Sequence, residues 1–342
     1  MARKRICVVH TGGTIGMKRS GGAWSPAPGY VEQQLCESRL FHRDEVPDWV
    51  VEDLEPLLDS ADMVPTDWLR IARRIEQRLP AFDGIVVLHG TDTMAYTASA
   101  LSFMLEHLDK PVILTGSQVP LSELRTDAWR NLLTSMLIAA GEPLPEVAVY
   151  FGDALYRGNR TVKTDCFGFD AFASPNYPIL ATAGVSIEVH RSRVRVAGSG
   201  NALVLHEHMA PHVGGLWLFP GITAEIVHNF LLPPLRAAVI QAYGVGNGPA
   251  SNPAILAAFR EASERGVVLV DCTQCLTGRV QIEDYATGRG LAGAGLVSGH
   301  DMTHEAALTK LSYLIGRGYA PDEVRRQVGE DLRGELTLPV EG

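Results

Sequence analysis

Positive charge is in short supply in this chain of 342 residues. It has 30 Lys and Arg against 39 Asp and Glu, a formal net charge of −9. Proteins that bind nucleic acid by neutralising phosphates are normally basic, so that class of partner is not expected. Cysteine is scarce too: Cys7, Cys36, Cys166, Cys272 and Cys275 are odd in number and scattered. They make no disulfide framework, which fits a reducing, cytoplasmic compartment. Cys272-Thr273-Gln274-Cys275 is a lone CxxC, half of a four-cysteine zinc site, and the thiols read as buried structural side chains. No apolar run approaches the roughly 20 residues a membrane helix needs. The opening ten residues have a basic head but neither a long apolar stretch nor a small-residue cleavage site, so no secretory leader and no membrane partner are expected. Internal repeats and low-complexity tracts are also missing.

What remains is ordinary globular composition, 46% hydrophobic and 20% charged, long enough for about two domains. Residues 6–10, 84–88, 111–114 and 147–151 are short apolar runs with little alternation. They read as strands buried on both faces. Helical spacing lies between them: Leu101, Met104, Leu105 and Leu108, then Trp129, Leu132, Leu133 and Met136 after a candidate cap at Thr126. Strand–helix alternation predicts an α/β fold with a parallel sheet covered on both sides. The rhythm changes at two strand-like runs, 185–189 and 194–196, and at the Gly/Pro-rich stretch that follows. The reading is therefore a domain over 1–196, a connecting segment over 197–214 and a second domain over 215–342. In the second, a strand is expected at 237–242, a helix at 253–265 capped by Asn252, and a strand at 267–270. Two further helices are expected at 303–315, stopped by Gly316, and at 321–332.

Three of the first-half strands run into small polar loops: Thr11-Gly12-Gly13-Thr14, His89-Gly90-Thr91-Asp92 and Thr115-Gly116-Ser117-Gln118. Ligands of open α/β sheets bind at the carboxyl ends of strands, so these loops are the first place to look for a site. A threonine hydroxyl becomes a nucleophile only when a base takes its proton. Asp92 adjoins Thr91, and Lys163 lies where a crossover would bring it back to the same edge. Glycines beside each threonine allow close backbone approach and could offer N–H donors to an oxyanion. Each loop taken singly could instead be a turn that caps the next helix.

Together the loops are more specific. Thr11-Gly12-Gly13-Thr14-Ile15-Gly16 and His89-Gly90-Thr91-Asp92-Thr93-Met94 resemble the two signature motifs of the bacterial-type L-asparaginases, type I branch. The resemblance continues through Val162-Lys163-Thr164, Tyr243-Gly244-Val245-Gly246-Asn247, Thr273-Gln274-Cys275 and the tail Leu332-Arg333-Gly334-Glu335-Leu336-Thr337, nearly the whole chain. It implies a larger N-terminal and a smaller C-terminal α/β domain. It also implies a cytoplasmic homodimer or homotetramer and hydrolysis of L-asparagine without metal or organic cofactor. By motif match, Thr14 is the acylated nucleophile, and Thr91, Asp92 and Lys163 form a second triad. Ser60 holds the substrate carboxylate, and Asp92 the amino group. Thr91 and Ser117 line the cavity, and Asn247 reaches the substrate of a neighbouring subunit. Two positions depart from the pattern. Trp24 stands where the family usually has a loop tyrosine, with Tyr30 the nearest phenol, and Ala61 follows Ser60 where glutamine is common.

Other features read as structural. His206, Glu207, His208 and His212 look like loose surface residues, and Arg125, Asp127 and Asn131 like cap and helix-face residues. The first glycine loop lacks a phosphate-cradle pattern. The rival functions are the amidohydrolase subunit of a tRNA-dependent amidotransferase, which would be expected to carry an added N-terminal domain, and a catalytically silent amino-acid sensor.

Overall fold

The computed structural model describes residues 3–141, 143–196, 200–282 and 286–338. They divide into two compact units, Met1–Glu207 and His208–Gly342. The division lies inside the 197–214 stretch expected to connect two domains, of which 197–199 fall outside the described residues. That stretch is not all connector. Val204–Leu205 pairs with Leu105–Glu106 in the first unit, and a strand of the second unit begins at Val213.

The first unit is built on an eight-stranded sheet: β1 (Arg5–Gly12), β2 (Asp48–Leu58), β3 (Gly84–Leu88), β4 (Val112–Thr115), β5 (Val147–Phe151), β6 (Ala154–Arg157), β7 (Ala181–Ala183) and β8 (Ile187–Val189). Their order is β8-β7-β6-β5-β4-β3-β1-β2. The five from β2 to β5 are parallel, and β6, β7 and β8 continue antiparallel, so the expected parallel sheet is a mixed one. Short turns join β5 to β6 and β7 to β8, with Gly152 at φ 63° between β5 and β6, whereas residues 158–180 lie between β6 and β7.

Helices cross between the parallel strands: α1 (Tyr30–Glu37), α2 (Pro65–Arg78), α3 (Met94–Met104) and α4 (Ala128–Gly141). Ile6 and Val8 of β1, Val86 and Leu88 of β3 and Ile113 of β4 pack with Val31 and Leu35 of α1 and Leu132 and Met136 of α4. Alternation sends Cys7, Val9, Ile85 and Val87, all fully buried, to the opposite face. This burial on both faces is why the strands read as unbroken apolar runs. The order 2-1-3-4-5 within the parallel part places its topological switch between β1 and β3, where ligands of such sheets bind.

Some local expectations fail. The helix expected to include Leu105 and Leu108 stops at Met104, because Leu105 joins the short strand pair and His107 takes φ 62°. Only Ile187–Val189 of the run at 185–189 is strand, and 194–196 is not.

The second unit holds four parallel strands in sequence order: β9 (Val213–Trp217), β10 (Ala237–Ala242), β11 (Val268–Thr273) and β12 (Leu296–Ser298). Its helices are α5 (Ala224–Phe230), α6 (Pro253–Glu264), α7 (Ala286–Ala292), α8 (His304–Gly316) and α9 (Pro321–Val328). Asn252 caps α6 as expected, its side-chain oxygen accepting the N–H groups of Ala254 and Ile255. Gly316 is the last helical residue rather than a stop beyond the end, and α9 ends four residues short of 332.

Candidate active site

Four loops leave the carboxyl edge around the switch point, and glycines let their backbones touch. A Cβ on Gly13 would strike the backbone of Gly90, and one on Gly12 would strike the Leu58 carbonyl. Gly90 lies so close to Ser60 that a Cβ there would meet the Ser60 Oγ and Cβ, and Gly116 is pressed on the His89 carbonyl. The loops after β2, β1, β3 and β4 are thus in direct contact. Gly12 and Gly13 also sit at φ 120° and 82°, a region closed to most side chains. This convergence brings Ser60, the Thr14 turn, Thr91, Asp92 and Ser117 to one edge of the sheet.

Lys163 reaches that edge from the short strand Val162–Lys163, which pairs with Phe172–Ala173. Its Nζ donates to Thr91 Oγ1 at 2.8 Å and to Asp92 Oδ1 at 2.7 Å. The side chain of Lys163 is 18% exposed and that of Asp92 64%, so the pair joins a shielded amine to an open carboxylate. Thr91 is buried and Thr14 half-buried in the short turn Thr14–Gly16. Ser60 is buried in the turn Ser60–Asp62, where the Asp59 carboxylate accepts the Ala61 N–H and Thr93 Oγ1 donates to the Ser60 carbonyl. The buried Ser117 Oγ has no hydrogen-bond partner among the described residues. One expectation is corrected: the Gly13 N–H is taken by the Leu58 carbonyl at 3.2 Å and is not a free oxyanion donor.

Residues that looked structural hold these loops in place. Asp127 is buried at the entry to α4, where its carboxylate accepts the N–H groups of Gln118 and Val119. Asn131, fully buried, donates to the Gly116 carbonyl at 3.0 Å and to Asp127 at 3.1 Å. Asp127 thus stands at the entry to α4 and Asn131 on the helix, as expected, and both side chains also build the third loop. Thr126 does cap the helix, accepting the Ala128 N–H.

His89 is fully buried, with Nδ1 2.7 Å from the Gly90 carbonyl and Nε2 2.8 Å from Thr97 Oγ1. A carbonyl only accepts, so Nδ1 carries the proton and Thr97 donates to Nε2. Burial lowers the imidazole pKa to about 4. His10, at the end of β1, pairs through Nδ1 with Asp53 of β2 at 2.8 Å, and Asp53 also accepts the Gly29 N–H before α1. Burial raises the Asp53 carboxyl, but the hydrogen bonds from His10 and Gly29 outweigh it and leave the group below the usual carboxylate range. The sequence signal for His89 and His10 was a histidine closing an otherwise apolar strand.

Trp24 lies in the hairpin of Met17–Ser20 and Ala23–Pro26, 36% exposed, with the Arg19 guanidinium 5.3 Å from its ring. Tyr30 is buried in the core at the start of α1, with Lys18 Nζ 4.0 Å above its ring. Asn247 belongs to the second unit, in the turn after β10. There it exchanges two backbone hydrogen bonds of 2.8 Å with Tyr243, and its Oδ1 accepts from Thr287 Oγ1 at 2.6 Å. Gly244 and Gly246 take the left-handed positions of this turn, at φ 48° and 101°. Beneath Gly246 lies Asp271, fully buried, whose carboxyl burial pushes up to about 7.

All five thiols are free; of the CxxC pair expected to be buried, Cys272 is buried and Cys275 is exposed. His206 pairs with Glu106 at 2.6 Å and Glu207 with Arg73 at 2.8 Å. Among the described residues, no three His, Cys, Asp or Glu gather as a metal site would need, and no helix is long and apolar enough to cross a membrane.

A family model described as "Asparaginase, N-terminal" matches residues 5–195, and one described as "Glutaminase/Asparaginase C-terminal domain" matches 212–328. The chain belongs to the asparaginase family. It is 49% identical over 337 residues to L-asparaginase 1 of Escherichia coli strain K12, covering 98% of this chain and 99% of that one. The crystal structure of L-asparaginase I from Vibrio cholerae superposes with a TM-score of 0.91 at 47% identity, covering 98% of this chain and all of that one. A mouse protein named 60 kDa lysophospholipase is 46% identical over 98% of this chain and 63% of its own length. The family match and the superposition carry the two-domain asparaginase fold and the type I resemblance read from the sequence.

Proposed function

We propose that this chain is an L-asparaginase, hydrolysing L-asparagine to L-aspartate and ammonia through a threonine nucleophile and an acyl-enzyme intermediate. One contact set carries the reading: Lys163 Nζ bonded to both Thr91 and Asp92, on the loop whose Gly90 backbone abuts Gly13. Thr14 Oγ1 attacks the side-chain amide carbon of asparagine. Its proton leaves with the amide nitrogen as ammonia, and an aspartyl ester remains on Thr14. Water then attacks the ester, giving one proton toward the Thr91–Lys163 pair and regenerating Thr14 as aspartate departs. Ser60 and Asp92 hold the substrate's carboxylate and amino group, and Ser117 lines the cavity. No metal or organic cofactor takes part. The enzyme works in the cytoplasm as a homodimer or homotetramer, with Asn247 supplied by a neighbouring subunit. The likeness to two proteins named as type I asparaginases supports the substrate.

The test is ammonia release from L-asparagine, L-glutamine and D-asparagine, with fatty-acid release from a lysophospholipid run beside it because of the mouse relative's name. Rapid ammonia release from L-asparagine is expected. Binding without release would point to a sensor. Thr14→Ala removes a hydroxyl and a methyl group from a half-buried turn and is expected to abolish turnover with the fold intact; more than about a tenth of the wild-type rate would remove Thr14 from the mechanism.

A further inference from the structure

Gln118 has no role in the mechanism above, yet it touches the middle of it. The Asp127 carboxylate fixes its backbone N–H at 3.0 and 3.1 Å. Its side-chain Nε2 donates to the Gly168 carbonyl at 3.0 Å, in the loop that follows Lys163. That bond settles the amide's orientation. With nitrogen toward Gly168, the oxygen Oε1 faces Thr91 Oγ1, 3.4 Å away. An amide oxygen can only accept. A lysine ammonium can only donate, and Lys163 reaches the same hydroxyl at 2.8 Å. The one proton of Thr91 therefore points at Gln118 and a lone pair at Lys163, the reverse of the direction in which a base would be used.

We propose that Gln118 is a positioning residue that turns the Thr91 hydroxyl proton away from Lys163 in the resting enzyme, and so sets the order of proton movements in the triad. Lys163 first gives a proton to solvent. The Thr91 hydroxyl then rotates about its C–O bond, leaving Gln118 and pointing at the neutral amine. Only after that does the Thr91 O–H bond break as an N–H bond forms on Lys163, while Thr91 takes a proton from the attacking water. At 3.4 Å the bond to Gln118 is long, so the rotation costs little and needs no movement of the backbone. The same amide ties the third loop to the Lys163 loop through Gly168, so one side chain keeps Thr91 and Lys163 in register.

The charged groups on the elements around Lys163 limit what else could produce a pH effect. Asp92 comes from the Thr91 loop. Asp165 and Asp170 lie on the loop between the two strands of its own hairpin, and Asp165 is held below the usual carboxylate range by the N–H groups of Phe167 and Gly168. Asp127 stands behind Gln118 on the third loop. Arg160, fully buried on the preceding turn, lies 5.3 Å from the Tyr177 ring. Gln118 carries no charge, and changing it alters what the Thr91 hydroxyl can donate to.

The inference rests on the asparaginase reading, and the experiment separates the two. Asparagine turnover by the wild-type enzyme is measured first across pH, and then Gln118→Met and Gln118→Glu are compared with it. Methionine has similar length and no comparable acceptor. The Thr91 proton is then free to face Lys163, the neutral amine is favoured, and the acid limb of kcat/KM should move to lower pH by at least ~0.3 unit. Glutamate supplies an anion that favours the ammonium, and the limb should move to higher pH by about one unit. A purely structural role would lower the rate at every pH and leave the limb in place. Opposite shifts support the proposal. Coincident limbs in both variants, or shifts in the same direction, overturn it while leaving the asparaginase reading standing. Wild-type protein with no turnover would overturn both. If circular dichroism shows that one variant does not fold, the direction of the other decides alone.

Discussion

Lys163→Met is the sharpest single change at the candidate site. Methionine fills nearly the same volume and cannot take a proton. General-base catalysis is worth roughly a hundred- to ten-thousand-fold, so turnover is expected to fall by about a thousand-fold. Asparagine binding, followed by calorimetric titration, should weaken by less than about tenfold, because Asp92 keeps its carboxylate in place. Asp92 is 64% exposed, so water solvates it once its partner is gone, and thermal stability should change little. An unchanged rate at neutral pH would remove Lys163 from the chemistry. Thr91, Asp92 and Lys163 were legible in the sequence because two of them share one motif loop and the third sits in a recognisable tripeptide. Asp127, Asn131 and Gln118 were not. Their roles come from partners 4 to 50 residues away, and nothing in a helix-entry pattern tells a carboxylate that caps its own helix from one that turns back to another loop. The missing loop tyrosine was visible as Trp24, but its neighbour Tyr30 proves to be a core ring beneath Lys18.

Among the elements, the fully buried strands were the easiest to read. The runs at 84–88, 147–151 and 237–242 are strands over those same residues, because a strand covered on both faces must be apolar throughout. The edge strand β2 is not legible for the same reason reversed: most of its side chains are not buried, so it lacks a continuous apolar run. The end of α3 is not legible in the spacing: Leu105 and Leu108 keep the helical pattern while the backbone leaves the helix for a strand pair, and spacing alone does not show a distant partner. The junction of β3 with α3 carries its own prediction. His89 is locked neutral between Gly90 and Thr97, its pKa lowered to about 4. The unfolded chain takes up this proton near pH 6.5, and the folded chain does not until about pH 4. Stability from this group is thus complete above about pH 6.5 and is lost as pH falls toward 4. Between pH 7 and pH 5 the loss should be on the order of 2 kcal/mol. Denaturant titration of the wild type and of His89→Gln at the two pH values would show it, the variant having the smaller difference. Equal differences would mean that other groups set the acid sensitivity.

For the whole molecule, the open question is whether one chain makes a complete site. Thr14 and Thr91 belong to the first unit and Asn247 to the second. The turn that carries Asn247 is built with care: two left-handed glycines, a two-way backbone pairing with Tyr243, and a side-chain oxygen held by Thr287. Gly244 and Gly246 supply the turn's special backbone angles, and Thr287 fixes the Asn247 amide through its oxygen, which leaves the nitrogen on the other arm of the same group. If a neighbouring subunit supplies this amide, a site needs Thr14 from one chain and Asn247 from another. Thr14→Ala chains should be dead alone and Asn247→Ala chains weak. When the two are unfolded together and reassembled as mixed oligomers, some sites pair a wild-type Thr14 with a wild-type Asn247. Ammonia release should then recover to about a quarter of the wild-type level, the share expected for random pairing in a dimer. Assembly within one chain predicts something different: every site then lacks one of the two groups, and the mixture is no more active than the average of its parents. Mass spectrometry of the intact oligomers verifies the mixing. Recovery above the parental average in verified mixed oligomers therefore decides for a shared site, and its absence would return Asn247 to a role within its own turn.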